Sequence, residues 1–227
     1  MLIILNKLRT TDEIVVLDIE PLHLTESQRR YLPLKRLIDI IGASIALLLF
    51  SPIFIIVIIA IKLTSPGSVF FEQIRVGKNG RPFKMYKFRS MIKDADKLKD
   101  SLLHLNENNE QFFKIKEDPR VTRIGRFLRR SSIDELPQLL NVLLGHMSLV
   151  GPRPVLYREI ELFTPQQLSN LGVKPGITCY WQTGGRSDSI ESRTFLDAKY
   201  IAEFSLAVDI LLLLKTPIVV LTGKGAY

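Results

Sequence analysis

The sequence predicts an α+β chain: a small, mostly helical domain with one β-hairpin, held at a membrane by a monotopic, re-entrant helix-break-helix. Three observations predict it. Leu37 to Leu63, the bulk of a membrane candidate over 35–63, is almost wholly apolar, lies between basic flanks and is interrupted by Ser51-Pro52. Residues 68–89 alternate in strand fashion about an Asn-Gly turn, and the rest carries short apolar runs at helical spacing. The 227 residues suit one domain with appendages. We divide them into a variable leader over 1–34, the membrane helix over 35–63 and a domain over 64–227 with interfacial helices.

The apolar block is long enough to cross about 30 Å of hydrocarbon. Proline at position 52 removes a backbone hydrogen bond and clashes with the preceding turn. Lys35 and Arg36 precede the block, and Lys62, Arg75, Lys78 and Arg81 follow it, so both ends prefer the cytoplasm. Asp39 is costly in hydrocarbon unless paired. A helix that enters, breaks at the Ser51-Pro52 hinge and returns satisfies all three; on these grounds alone a proline-kinked transmembrane helix remains the alternative. In the leader, residues 14–17 read as a strand, and the leader packs on the domain or adapts it to a partner.

Beyond the block, residues 69–76 and 82–88 form the hairpin, with Asn79-Gly80 as its turn. The polar stretch 92–117 reads as a helix followed by a loop. Asp118-Pro119 opens the next helix, Asp118 capping and Pro119 in the first position. On it Val121, Ile124, Phe127 and Leu128 share one face. Arg120, Arg123, Arg126, Arg129 and Arg130 take the other, a basic face for solvent or acidic lipid. Residues 137–144 form a short apolar helix. The tail over 206–221, interrupted by Asp209, Lys215 and Pro217, is buried or interfacial.

A net charge of +8 implies an anionic partner. Nucleic acid does not fit, because aromatic residues are not interleaved with the basic helix for base stacking and the apolar block would have no purpose. The single Cys179 excludes an internal disulfide and a cysteine-rich zinc site. His23, His104 and His146 are too scattered for a histidine metal site. The start has no secretory-signal pattern.

The chemistry-bearing stretch is Ser132-Ile133-Asp134-Glu135-Leu136-Pro137-Gln138. Pro137 belongs in a first helical turn, so Asp134 and Glu135 lie at a helix amino end. Taken alone, Ser132 and Glu135 read better as a capping box than as catalytic groups. The surroundings favour a site. Arg153 stands between Pro152 and Pro154, a stiff presentation of a guanidinium; Lys87 and Arg89 close the hairpin; Arg129 lies five residues before Asp134. An acidic pair amid these cations suits magnesium and a diphosphate. There is no Walker A sequence, dinucleotide loop or nucleophile elbow.

From about Lys35 to Tyr227 the chain resembles the monotopic bacterial sugar transferases, the polyprenyl-phosphate glycosyl-1-phosphate transferases. The resemblance rests on ordered blocks: Lys35-Arg36-Leu37-Ile38-Asp39, Ser51-Pro52, Phe71-Glu72-Gln73-Ile74-Arg75-Val76-Gly77, Lys87-Phe88-Arg89-Ser90-Met91, Asp118-Pro119-Arg120-Val121-Thr122, Asp134-Glu135-Leu136-Pro137-Gln138, residues 147–154 and Pro175-Gly176-Ile177-Thr178.

The resemblance implies a re-entrant helix hinged at Ser51 and Pro52 and an active site on the cytoplasmic face of the inner membrane. It implies Asp134 as nucleophile and Glu135 as its partner in binding Mg2+. Arg129 and Arg153 match phosphate-binding arginines, and Lys87 and Arg89 a basic motif. The substrates implied are a UDP-sugar and polyprenyl (undecaprenyl) phosphate, with UMP released through a covalent aspartyl-phosphosugar, at the first membrane step of exopolysaccharide or O-antigen assembly. The closing Gly225-Ala226-Tyr227 and the 181–187 segment look like the hexose-phosphate transferases, whose larger members carry an extra amino-terminal region; this chain resembles the minimal catalytic unit. Gln182 and Arg186 bind nucleotide or sugar, or cap a loop. Trp181 and Tyr180 read as interfacial anchors or sugar contacts, and Cys179 as a buried thiol. His146 and Cys179 depart from the family pattern, which bears on packing or sugar preference. A homodimer, or docking to polysaccharide-assembly proteins, stays open.

Overall fold

A computed structural model describes residues 22–98, 100–106, 115, 117–184 and 189–222. The expected strand at 14–17, Arg186 and the closing Gly225-Ala226-Tyr227 lie outside them. The fold is α+β. A long helix, α1 (Glu26–Thr64), leads into an antiparallel hairpin of β1 (Phe70–Val76) and β2 (Pro82–Phe88). Then come α2 (Arg123–Arg130), α3 (Gln138–Leu143), β3 (Ser148–Val150), α4 (Tyr157–Ile160) and α5 (Pro165–Leu168). Strand β4 (Gly176–Thr178) pairs in parallel with β3, and α6 (Tyr180–Thr183), α7 (Ile190–Glu203) and α8 (Leu206–Thr222) complete the order.

Helix α1 starts at Glu26, ahead of the membrane segment expected over 35–63, because Thr25 and Gln28 form a reciprocal capping box. Pro33 and Pro52 both lie within it. Only 11% of its most apolar 18-residue window is buried, and Leu48 and Leu63 are 78% and 81% exposed. An apolar face of this extent on a soluble monomer would be a liability, and it suggests association with a membrane.

The helix nevertheless touches the folded body along most of its length. Before Ser51, Ala43, Ala46 and Leu47 pack with Phe83, Leu139, Val142 and Met147. After it, Ile53, Phe54, Val57 and Ile61 pack with Phe88 and Leu128. Leu136 belongs to both groups. The polar residues at the near end have partners. Asp39 accepts from Ser148 Oγ and the Leu149 N–H, each at 2.9 Å. Arg36 donates to the Val142 and Leu143 carbonyls at the end of α3. Lys35 pairs with buried Asp209, which also accepts from Tyr31 and Tyr200. The described part of the leader packs on the domain too: Leu22, Leu24, Tyr31 and Leu32 meet Tyr200, Phe204 and Leu212.

The hairpin forms as expected, Asn79 (φ 56°) and Gly80 (φ 75°) supplying the left-handed turn. Asn141 ties it to α3, accepting from the Tyr86 N–H at 3.0 Å and donating to the Lys84 carbonyl at 2.7 Å. Four expectations need correction. The described part of 92–117 holds 3-10 turns, Ala95–Leu98 and Asp100–Leu105, rather than an α-helix. The next helix opens at Thr122, whose hydroxyl accepts the Gly125 N–H, not at Asp118. The Asp118 carboxylate instead holds the guanidinium of Arg120, which is buried and not part of a basic outer face. Finally, Val121 bridges to Met91 in extended conformation, and Phe127 is 59% exposed while Leu128 is 0%. The apolar stripe of α2 therefore narrows to Ile124 and Leu128.

Candidate active site

Between α2 and α3 the chain must turn sharply. Ser132 adopts a left-handed conformation (φ 55°), unusual for a residue with a Cβ, and residues Ile133–Glu135 make one 3-10 turn into Pro137, the cap of α3. No side-chain capping bond forms at Ser132, so the acids are not explained by a capping box. The turn faces a cavity of about 1110 Å³. Lys87, Arg89, Arg129, Asp134, Glu135, Arg153 and Gln182 all line it, so seven residues that the sequence singled out meet at one place. Ser51 and Pro52 sit apart, on α1.

Lys87, on β2, reaches across to the acids: its Nζ lies 2.7 Å from Glu135 Oε1 and 3.9 Å from Asp134 Oδ2. Asp134 is buried, and burial with the Glu135 charge pushes its carboxyl up to about 6; Lys87 and Arg129 oppose this. Arg129 is steadied by its Nε, which donates to Ser90 Oγ at 2.9 Å. Arg89 is placed differently. Its two terminal nitrogens donate to the Pro66 and Ser65 carbonyls at 2.9 and 2.8 Å, so the guanidinium braces the end of α1.

Arg153 enters from the Pro152–Pro154 loop, which is fastened on both sides. Gly176 N–H donates to the Pro152 carbonyl at 2.8 Å, and Arg75 Nη1 to the Pro154 carbonyl at 3.0 Å. Glycine is required at 176, because a Cβ there would lie 2.1 Å from Gly151 N. The Arg153 guanidinium lies over the Trp181 ring, 5.1 Å from its centroid. Trp181 thus lines the cavity. Cys179 is buried, and burial pushes its thiol up to about 12, as suits a structural thiol. Sequence reasoning gave no role at the site to Arg75, Glu159, Asp197 or Arg193, which surround Arg153 from elements distant in the chain. Only the Phe71–Gly77 block hinted at one of them.

Asp197 offers a measurable consequence. Burial raises its carboxyl to about 7, against the ordinary value of 3.8, despite the Arg153 N–H and the nearby Arg153 and Arg193 charges. The folded protein then keeps a proton that the unfolded chain releases near pH 4, so stability is full below that pH and declines as pH rises through about 7. In urea unfolding, the midpoint should fall from pH 5 to pH 8 in the wild type and fall less in Asp197→Asn.

Among the described residues no three His, Cys, Asp or Glu side chains form a metal cluster. Asp134 and Glu135 still suit magnesium: they are two adjacent oxygen donors in a basic cavity, and this ion is commonly held by one or two carboxylates plus substrate phosphates.

Residues 30–223 match the pattern of a bacterial sugar transferase. The chain is 41% identical over 198 residues to the exopolysaccharide production protein ExoY of Rhizobium meliloti (strain 1021), covering 85% of this chain and 88% of that one. It is 39% identical over 220 residues to the undecaprenyl-phosphate galactose phosphotransferase of Salmonella typhimurium, with 95% and 45% covered. Against the UDP-glucose:undecaprenyl-phosphate glucose-1-phosphate transferase of Escherichia coli (strain K12) the identity is 42% over 205 residues, with 86% and 41% covered. The chain spans less than half the length of the latter two.

Proposed function

The chain belongs to the bacterial sugar transferase family, and from that premise we propose that it moves a sugar 1-phosphate from a UDP-sugar to undecaprenyl phosphate and releases UMP. One observation carries the reading: an acidic pair, Asp134 and Glu135, faces a cavity that also receives Lys87, Arg129 and Arg153 from three other parts of the chain. Relatives named for undecaprenyl-phosphate sugar transfer support the substrates.

In the proposed reaction an Asp134 carboxylate oxygen attacks the sugar-bearing phosphorus. The bond from that phosphorus to the bridging oxygen breaks, and UMP leaves with the electron pair. A phosphate oxygen of undecaprenyl phosphate then attacks the same phosphorus, forming the lipid diphosphate sugar and restoring the carboxylate. Splitting the transfer lets one site serve both substrates in turn. Arg129 and Arg153 bind the diphosphate and offset the charge that would repel an anionic nucleophile. Lys87 holds Glu135 and keeps Asp134 ionised against its burial. A magnesium ion, held by Asp134 and Glu135, would supply further charge neutralisation on the diphosphate.

We further propose that α1 is re-entrant at Ser51-Pro52 and that the cavity opens at the cytoplasmic face of the inner membrane. Both halves of α1 pack on the same body, and the chain on either side of the apolar block is fastened to it: Gln28 Nε2 donates to the Ile201 carbonyl at 2.9 Å, and Ser65 accepts from Arg89. A helix crossing the bilayer would carry those ends about 30 Å apart. This arrangement lets a shallow enzyme meet the lipid phosphate at the headgroup plane.

The test is UMP release from a panel of UDP-sugars mixed with undecaprenyl phosphate and the purified protein in detergent or nanodiscs. Acceptor-dependent UMP release with at least one sugar is expected. None with any sugar, from folded protein supplied with magnesium, would sink the reading.

A further inference from the structure

Beside Arg153, around a second and smaller void, lies a second group of charges. Glu159 lies in the first turn of α4, Arg193 and Asp197 lie on α7, and all three line a void of about 20 Å³ that they share with Arg153. Of these four, only Arg153 also lines the large cavity. Glu159 Oε1 lies 3.6 Å from Arg153 Nη1 and 4.0 Å from Arg193 Nη1, while its Oε2 accepts the Leu156 N–H at 2.7 Å. Asp197 Oδ1 accepts the backbone N–H of Arg153 at 3.4 Å. The guanidiniums of Arg153 and Arg193 both lie over the Trp181 ring, at 5.1 and 4.6 Å from its centroid.

The arrangement has a physical logic. Arg75, Arg153 and Arg193 bring three guanidiniums into one neighbourhood, and like charges drive the most mobile of them apart. Arg75 is fixed by Gln73 and the Pro154 carbonyl, and Arg193 is largely buried. Arg153 has the most freedom, with 29% of its side chain exposed, against 6% for Glu159. Without the Glu159 carboxylate, whose Oε1 lies near both guanidiniums, Arg153 would be freer to swing away from Arg193 and sample several rotamers. A guanidinium that must meet a diphosphate in one orientation gains from being held there beforehand.

Resting on the reading of the cavity as a diphosphate site, we propose that Glu159 is a positioning residue: with Trp181 as a stacking plate, it holds the Arg153 guanidinium aimed at the diphosphate of the nucleotide sugar and does not itself touch substrate. Glu159→Gln is the informative variant. The amide oxygen can still accept from Leu156, so α4 keeps its cap, but the charge facing the two guanidiniums is gone. Glu159→Asp keeps the charge on a shorter arm.

The experiment titrates UDP into the purified full-length protein by calorimetry, for wild type, Glu159→Gln, Glu159→Asp, Arg153→Ala and the double variant Glu159→Gln/Arg153→Ala. UMP release is followed in parallel. Glu159→Gln should weaken UDP binding about 10-fold, with Glu159→Asp recovering part of it. Once Arg153 is Ala, removing the Glu159 charge should change UDP affinity by less than about 2-fold, because its partner is absent. The KM for the UDP-sugar should rise with the KM for the lipid unchanged. An unchanged UDP affinity in Glu159→Gln, or a loss of the same size with and without Arg153, overturns the proposal. A protein that binds UDP but releases no UMP sinks the transferase reading instead, and the affinity cycle still decides the role of Glu159.

Discussion

Replacing Asp134 by Asn should reduce UMP release by at least about 1,000-fold and abolish trapping of a labelled sugar phosphate on the protein, since the amide is no nucleophile. The fold should survive. Asp134 is buried and its carboxyl is pushed up by that burial, so a neutral isostere relieves a desolvation cost, and Tm should hold or rise. This combination separates a chemical role from a structural one. Full activity in the variant, or label retained on it, would rule out Asp134 as the group that is esterified. Glu135→Gln is expected to lose less, because Glu135 acts beside the nucleophile and in holding Lys87 rather than in bond formation.

Gly125→Ala should unfold or severely loosen the domain although it adds only one methyl. A Cβ at 125 would lie 1.9 Å from the Ser90 carbonyl oxygen and 2.6 Å from its carbon. That carbonyl cannot retreat easily, since it accepts from the Thr122 N–H at 3.1 Å and the Thr122 hydroxyl at 3.3 Å. The start of α2 would have to lift from the end of the hairpin, at a cost of about 3 kcal/mol or more. Arg129 would lose its Ser90 partner in the same movement. Urea unfolding measures the first effect, and UDP affinity under conditions where the variant remains folded measures the second. A variant with wild-type midpoint would mean that α2 and Ser90 do not meet as closely as described.

Local chemistry made part of this fold readable. Asn79-Gly80 marked the hairpin because both residues accept left-handed backbone, and Pro137 marked the start of α3 because it has no N–H to lose. Where two residues offered the same local signal, the sequence could not choose. Asp118 and Thr122 are both good helix caps; a partner two residues away, Arg120, claimed the first and left the cap to the second. The β3–β4 pair went unforeseen because three-residue strands show no period and their pairing joins residues far apart in the chain. At the site, the acids and the cations that meet them were legible as short motifs. The support behind Arg153 was not, because Arg75, Glu159, Arg193 and Asp197 are ordinary charged residues until the chain brings them together. Arg89 shows the converse: it belongs to the basic motif, yet carbonyls at the end of α1 claim its guanidinium.

That last contact couples immersion to chemistry. Arg89 grips the place where the apolar helix emerges, and Lys87, two residues earlier on the same strand, rests on Glu135. Helix exit, strand and acid pair therefore ride together like a float and its keel. On the proposed re-entrant arrangement, a thicker or thinner bilayer that lifted or sank the helix would carry the acid pair with it, holding the proposed centre at one height by construction rather than by adjustment.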